Sequence, residues 1–121
     1  IPGDGVVVST PQGSTAYALS VNGPVLDPDL PAMLVAAICP HLITIRPIVV
    51  PSRSRITLQV LECRGHPAHI VLDGIPASTV CQGEKVEIRQ SNSKCRVIRL
   101  RPNGSFYELL GRKFGWGHRG G

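Results

Sequence analysis

The sequence predicts a mainly β protein, an antiparallel β-sandwich that carries two short helices. Three observations lead there. Short segments rich in Val, Ile and Leu alternate with polar residues at a period of two, the pattern of strands with one covered face. Thirteen glycines and eleven prolines punctuate the 121 residues, which spaces turns at the near-regular intervals of a sandwich or barrel. Only Ser14 to Ser20 and Ser105 to Phe114 break that rhythm.

In chain order, Val6-Val7-Val8 is short and continuously apolar, as a buried strand is. Ser14 to Ser20 reads as a short helix, with Ser14 as N-cap and Thr15, Ala16 and Tyr17 in its first turn. Ala32 to Cys39 is apolar and of either type, and Pro40 ends it. Ile43 to Val50 reads as extended, interrupted at Pro47. Ile56 to Leu61 alternates cleanly and is a half-buried strand. His69 to Leu72 runs into Asp73-Gly74, a hairpin turn signal. Lys85 to Arg89 alternates again after the turn residues Gln82-Gly83, and Cys95 to Leu100 alternates with less certain register. Ser105 to Phe114 has Phe106, Leu109, Leu110 and Phe114 at helical spacing, with Ser105 to cap it and Gly115 to stop it. The Gly-rich end after Trp116 reads as a frayed tail.

Length favours a single domain, and a chain of this size can build a core without disulfides or metals. The apolar fraction of 42% argues against disorder. No apolar run reaches the roughly 18 residues of a membrane span, so no membrane partner is expected. The chain begins with Ile1, which reads as a fragment or processed chain. Cys39, Cys63, Cys81 and Cys95 are spread evenly with no C-x-x-C pair, so no metal site is expected; free buried thiols in a reducing compartment are. The formal charge is +5. A solvated basic face and a site for an anionic ligand account for it equally. Nucleic acid is not expected, because aromatics are only 4% and no dense basic run occurs.

The chemistry concentrates in Gly3-Asp4-Gly5-Val6-Val7-Val8-Ser9-Thr10-Pro11-Gln12-Gly13-Ser14-Thr15-Ala16-Tyr17: a strand, a tight turn and a helix start. A helix start offers unpaired N–H groups and partial positive charge. Gly13 would let a ligand approach the backbone, four hydroxyls surround it, and Tyr17 adds an aromatic face with a polar tip. Such a turn suits the sugar, phosphate or base of a nucleotide. Gly, Ser and Thr at a turn also serve simply to cap a helix, and the residues alone leave both readings open. Neither a G-x-x-x-x-G-K-[ST] loop nor a G-x-G-x-x-G fingerprint is present.

The string GDGVVVSTPQGSTAYALS resembles the signature of the NAD kinase family. Asn22-Gly23-Pro24, Asp27-Pro28-Asp29-Leu30-Pro31-Ala32, Ile38-Cys39-Pro40-His41, Arg46 to Pro51, Val71-Leu72-Asp73-Gly74 and Phe114-Gly115-Trp116 are similar to further family blocks, in the same order from end to end. The resemblance implies the C-terminal, substrate-binding β-sandwich domain of that fold over 1–121, with an N-terminal α/β catalytic domain missing. It implies an NAD-binding site at Asp4, Thr15, Ala16, Tyr17 and Ser20, with Cys39 reaching the substrate of a neighbouring subunit mostly through backbone. Gly3-Asp4-Gly5 is not the family's catalytic Gly-Gly-Asp-Gly, since Pro2 precedes it; the catalytic Asp is expected in the missing part. Pro2, Gln12 and Ile75 depart from the family pattern.

The implied reaction is transfer of a phosphoryl group from ATP, or polyphosphate, to the 2′-hydroxyl of the adenosine ribose of NAD, with a divalent metal such as Mg. A cytoplasmic homodimer or homotetramer is implied, with the fragment alone inactive. A related diacylglycerol or sphingosine kinase shares the two-domain plan, but STPQGSTAY and ICPH argue against it. A non-catalytic nucleotide- or protein-binding β-sandwich is the remaining alternative.

Overall fold

The computed structural model describes residues 1–98 and 105–117. In chain order its elements are β1 Gly5–Ser9, a 3-10 turn Gln12–Thr15, α1 Tyr17–Ser20, β2 Ala32–Ile38, β3 Ile48–Pro51, β4 Ile56–Gln59, β5 Ala68–Leu72, β6 Ile75–Val80, β7 Lys85–Ile88 and α2 Phe106–Phe114. Every strand pairing is antiparallel. Mainly antiparallel β structure with short helices is the architecture that alternation and turn spacing indicated. The chain divides into two compact units, one of residues 1–51 and 93–121 and the other of residues 52–92.

The first unit is built on a three-stranded sheet in the order β1-β2-β3. Val7 pairs with Ala36, Ser9 with Leu34, and Leu34 with Val49. Cross-strand partners share a face, so one face presents Val7, Leu34 and Ala36. Ala18 of α1 and Leu26 of the following loop pack there around Leu34, which is fully buried. The opposite face carries Val6, Val8, Met33 and Val35, which explains why these strands read as continuous apolar runs instead of alternating. Val6 to Val8 are half-buried, less enclosed than the sequence suggested.

The segment Ile43 to Val50, expected to be extended throughout, is extended only from Ile48. Before Pro47 the chain turns, with Ile45 N–H on the Leu42 carbonyl at 3.2 Å and the Arg46 guanidinium bonded to the carbonyls of Ile43 and Ile45. Cys95 to Ile98 form no strand, against the alternation seen there; Arg99 and Leu100 lie outside the described residues. So does the tail beyond Gly117.

The second unit holds two two-stranded sheets, β4-β7 and β5-β6. Ile56 pairs with Ile88 and Leu58 with Val86, while Thr57 faces Glu87 and Gln59 faces Lys85, the period-two division the sequence shows. The β5-β6 hairpin turns at Asp73 and Gly74, whose φ angles of 50° and 80° meet the type I′ requirement.

Helix α2 begins at Ser105, whose hydroxyl accepts from the Glu108 N–H at 3.1 Å, and stops at Gly115 in the left-handed conformation. Phe106, Leu110 and Phe114 form its less exposed stripe; Leu109, one residue off that line, faces solvent. Trp116 is largely exposed and lies 5.4 Å from Phe114, centroid to centroid. The four thiols are free, as expected, but not buried: Cys39, Cys81 and Cys95 are exposed and Cys63 is half-buried. Short strands in thin sheets leave too little interior to enclose them.

Candidate functional site

At the end of β1 the chain does not start a helix directly. Pro11 already has helical angles, with φ −55° and ψ −41°. The Ser14 N–H closes onto the Pro11 carbonyl at 3.1 Å and the Ala16 N–H onto the Gly13 carbonyl at 3.1 Å, making a tight 3-10 turn. Ala16 leaves helical geometry, and a single turn of α-helix follows from Tyr17. The one helix expected over Ser14 to Ser20 is therefore two pieces.

Ser14 is not the cap that the sequence suggested. Its hydroxyl donates to the Pro11 carbonyl at 2.6 Å and accepts the Leu26 N–H at 2.9 Å, and the residue is fully buried. The cap role passes to Thr10, whose Oγ1 accepts the Gly13 N–H at 3.2 Å. The expectation of several unpaired N–H groups waiting for an anion is corrected accordingly, because those of Gly13, Ser14 and Ala16 are used inside the turn. Gly13 also has a different reason to be glycine. A Cβ there would stand 2.9 Å from Ser9 Oγ, so the space is taken by the turn's own side chain.

What the turn presents outward is Ala16, Tyr17 and Ser20, all exposed, with Thr15 half-buried beside them. Tyr17 is 57% exposed although its neighbour Ala18 is sealed into the core. Tyr17 is thus held at the surface by a neighbour anchored in the core.

Asp4 and Cys39 meet at the opposite end of β1. The Asp4 N–H bonds the Ile38 carbonyl at 3.0 Å, and the His41 N–H bonds the Pro2 carbonyl at 2.9 Å. A Cβ on Gly3 would stand 3.0 Å from the Ile38 oxygen and 3.2 Å from that of Cys39, so the two backbones cross in contact. Asp4 is exposed, and Cys39 is exposed with a left-handed φ of 44°. The six site residues implied by the resemblance thus form two groups within the first unit: Asp4 with Cys39, and Thr15, Ala16, Tyr17 and Ser20 on the turn. Ile75 lies in the other unit, exposed at the start of β6.

Sequence reasoning missed two features. The long-range bond of Ser14 leaves no local signal. The other is a tie between the loop after α1 and α2, where Tyr107 Oη donates to Asp27 Oδ2 at 2.8 Å. Asp27 also accepts the Asp29 N–H at 2.9 Å. That backbone donor, and then the tyrosine, hold the Asp27 carboxyl below its ordinary value; the carboxylate in turn raises the phenol of Tyr107.

Residues 1–100 match the family of ATP-NAD kinase C-terminal domains. The chain belongs to the NAD kinase family. It is 41% identical over 116 residues to an NAD kinase of Acidobacterium capsulatum, covering 96% of this chain and 40% of that protein. An NAD kinase 1 of Thermosynechococcus vestitus is 39% identical over 114 residues, covering 94% of this chain and 37% of that protein. The chain therefore spans about two fifths of the length of these curated relatives. Among solved structures, yeast NADH kinase complexed with NADH superposes with a TM-score of 0.65 and 35% identity, over 70% of this chain and 24% of that one. An NAD kinase from Archaeoglobus fulgidus in complex with ATP gives 0.62 and 31%, over 74% of this chain and 33% of that one. An NAD kinase C-terminal segment thus accounts for the antiparallel sheets and for the glycine-rich strand and turn at the start of the chain.

Proposed function

We propose that this chain is the dinucleotide-binding part of an enzyme that transfers a phosphoryl group from ATP, or polyphosphate, to the 2′-hydroxyl of the adenosine ribose of NAD, forming NADP. The observation that carries the reading is the exposed Tyr17 beside Thr15, on a turn anchored from below by Ala18 and Ser14, in a chain of the NAD kinase family. Neighbours solved with NADH and with ATP support nucleotide substrates.

Phosphoryl transfer needs little covalent help from protein. It needs in-line positioning, a base for the attacking hydroxyl, and charge neutralisation on the phosphates. This chain's part is positioning. Tyr17 and Thr15 take the base and sugar by aromatic contact and hydrogen bonding, with Ala16 leaving room between them and Ser20 adding a hydroxyl. Asp4 accepts a hydrogen bond from the substrate. Cys39 extends its backbone toward the dinucleotide of a neighbouring copy in a homodimer or homotetramer. The general base and the site for the donor phosphates lie in chain outside this segment. Among the described residues no three His, Cys, Asp or Glu side chains come together to hold a metal. A magnesium ion on the donor phosphates is part of the reading. No helix among the described residues is long and apolar enough to cross a membrane, and the reading includes a cytoplasmic location.

The test is a coupled NADP-formation assay with ATP and magnesium, run on this segment and on the complete kinase polypeptide at equal concentration. The complete polypeptide turns over and the segment does not, because loss of a general base removes about 10²–10⁴-fold of rate. Turnover by the segment within about tenfold of the complete protein would place the base within it.

A further inference from the structure

Among the described residues, Ser14 is the polar side chain that the fold buries completely. Burying a hydroxyl is unfavourable unless both its donor and its acceptor capacity are used. Both are: Ser14 Oγ donates to Pro11 and accepts from Leu26. The two partners lie on either side of the substrate-facing block. Pro11 opens the 3-10 turn, and Leu26 follows α1, with its own side chain in the core against Ala18 and Leu34. One oxygen thus joins the chain before Thr15, Ala16, Tyr17 and Ser20 to the chain after them. Helix α1 is a single turn, and a helix that short does not hold its own geometry. Apolar contact by Ala18 is non-directional. The Ser14 bonds, to two backbone groups of fixed direction, add a buried directional tie across the turn to those of Thr10 Oγ1 with Gly13 and of Gly23 N–H with the Ala18 carbonyl.

We infer that Ser14 is a positioning residue for dinucleotide binding, holding Thr15 and Tyr17 in their ligand-facing orientation through its bridge from Pro11 to Leu26. It rests on the reading of that turn as the NAD site. Ser14 itself touches no substrate, being enclosed by the turn it organises.

The test is steady-state kinetics on the complete kinase polypeptide carrying Ser14→Ala, Ser14→Thr or Val80→Ala. Val80 is a buried residue of the second unit and serves as a destabilised control. Well below every melting temperature, Ser14→Ala raises the KM for NAD about tenfold, the scale of one lost buried hydrogen bond. Its KM for ATP and that of the Val80→Ala protein stay within about twofold of the unsubstituted values, a change too small to count as a lost bond. Ser14→Thr keeps the hydroxyl and restores the KM for NAD. Should neither Ser14 variant fold, Ser14→Cys, with a weaker donor and acceptor, is read the same way. An NAD KM unchanged by Ser14→Ala, with only melting temperature or kcat lowered, overturns the inference. Failure of the unsubstituted polypeptide to form NADP refutes the kinase reading, and this inference with it.

Discussion

Replacing Gly23 by alanine tests how tightly the site is tied to the sheet. Gly23 is buried where the loop after α1 turns back, and its N–H donates to the Ala18 carbonyl at 2.8 Å. A Cβ at position 23 would lie 2.6 Å from that same oxygen and 3.0 Å from Leu34 Cδ2. The first contact is with backbone, and Leu34 is fully enclosed, so neither neighbour yields freely. Overpacking of this kind costs about 1–3 kcal/mol. Moving the carbonyl away also weakens its hydrogen bond, worth about 0.5–1.5 kcal/mol. The sum is a loss of about 1.5–4.5 kcal/mol, with α1 displaced from the sheet. Urea denaturation of the complete polypeptide reads it as a lowered midpoint at unchanged slope. Gly65→Ala is the comparison, since no atom lies within 4 Å of its added Cβ and its φ of 84° alone opposes the change; about 1–2 kcal/mol is the conformational cost there. A Gly23→Ala loss no larger than that of Gly65→Ala would refute the packing argument.

Three further outcomes are expected. Tyr17→Ala weakens NAD binding by about 1–3 kcal/mol in calorimetric titration while barely changing the melting temperature, because the ring is exposed; an unchanged dissociation constant with a lowered melting temperature would make it a packing residue. Tyr107→Phe removes a donor to Asp27, so the Asp27 carboxyl titrates closer to its ordinary value by NMR. Because the folded Asp27 value is lowered and the folded Tyr107 value raised, the tie stabilises between the ordinary carboxylate and tyrosine ranges. It is lost as pH falls through the Asp27 value or rises through that of Tyr107, and an unmoved Asp27 titration would show that the tie does not form. Ser105→Ala lowers stability by about 1 kcal/mol through loss of the α2 cap, read as reduced helical ellipticity and an earlier thermal transition.

What the sequence by itself determined is the set of features governed by residues close in the chain. The β5-β6 turn followed from Asp73-Gly74, because left-handed geometry at two adjacent positions is a local demand. The boundaries of α2 followed from Ser105 and Gly115 for the same reason. The alternation of Ile56 to Gln59 and Lys85 to Ile88 gave the covered face of each strand, although not that they pair with one another across two intervening strands. The family blocks were legible as an ordered string, and the family match over residues 1–100 agrees with them.

Tertiary structure decided the rest. It split the helix expected over Ser14 to Ser20 at Ala16; the turn before Pro47, by contrast, is held by local bonds of Arg46 that the apolar pattern of Ile43 to Val50 hid. It brought Asp4 beside Cys39, 35 positions apart in the chain, through the β1-β2 register. It turned Ser14 inward, because a 3-10 turn leading off β1 aims that position at the Leu26 N–H and not along a helix axis. A propensity or a cap is a free-energy difference among conformations of a few neighbouring residues, so a short window of sequence carries it. A buried hydroxyl is satisfied by whichever backbone group the fold brings to it, and for Ser14 that group is twelve residues away.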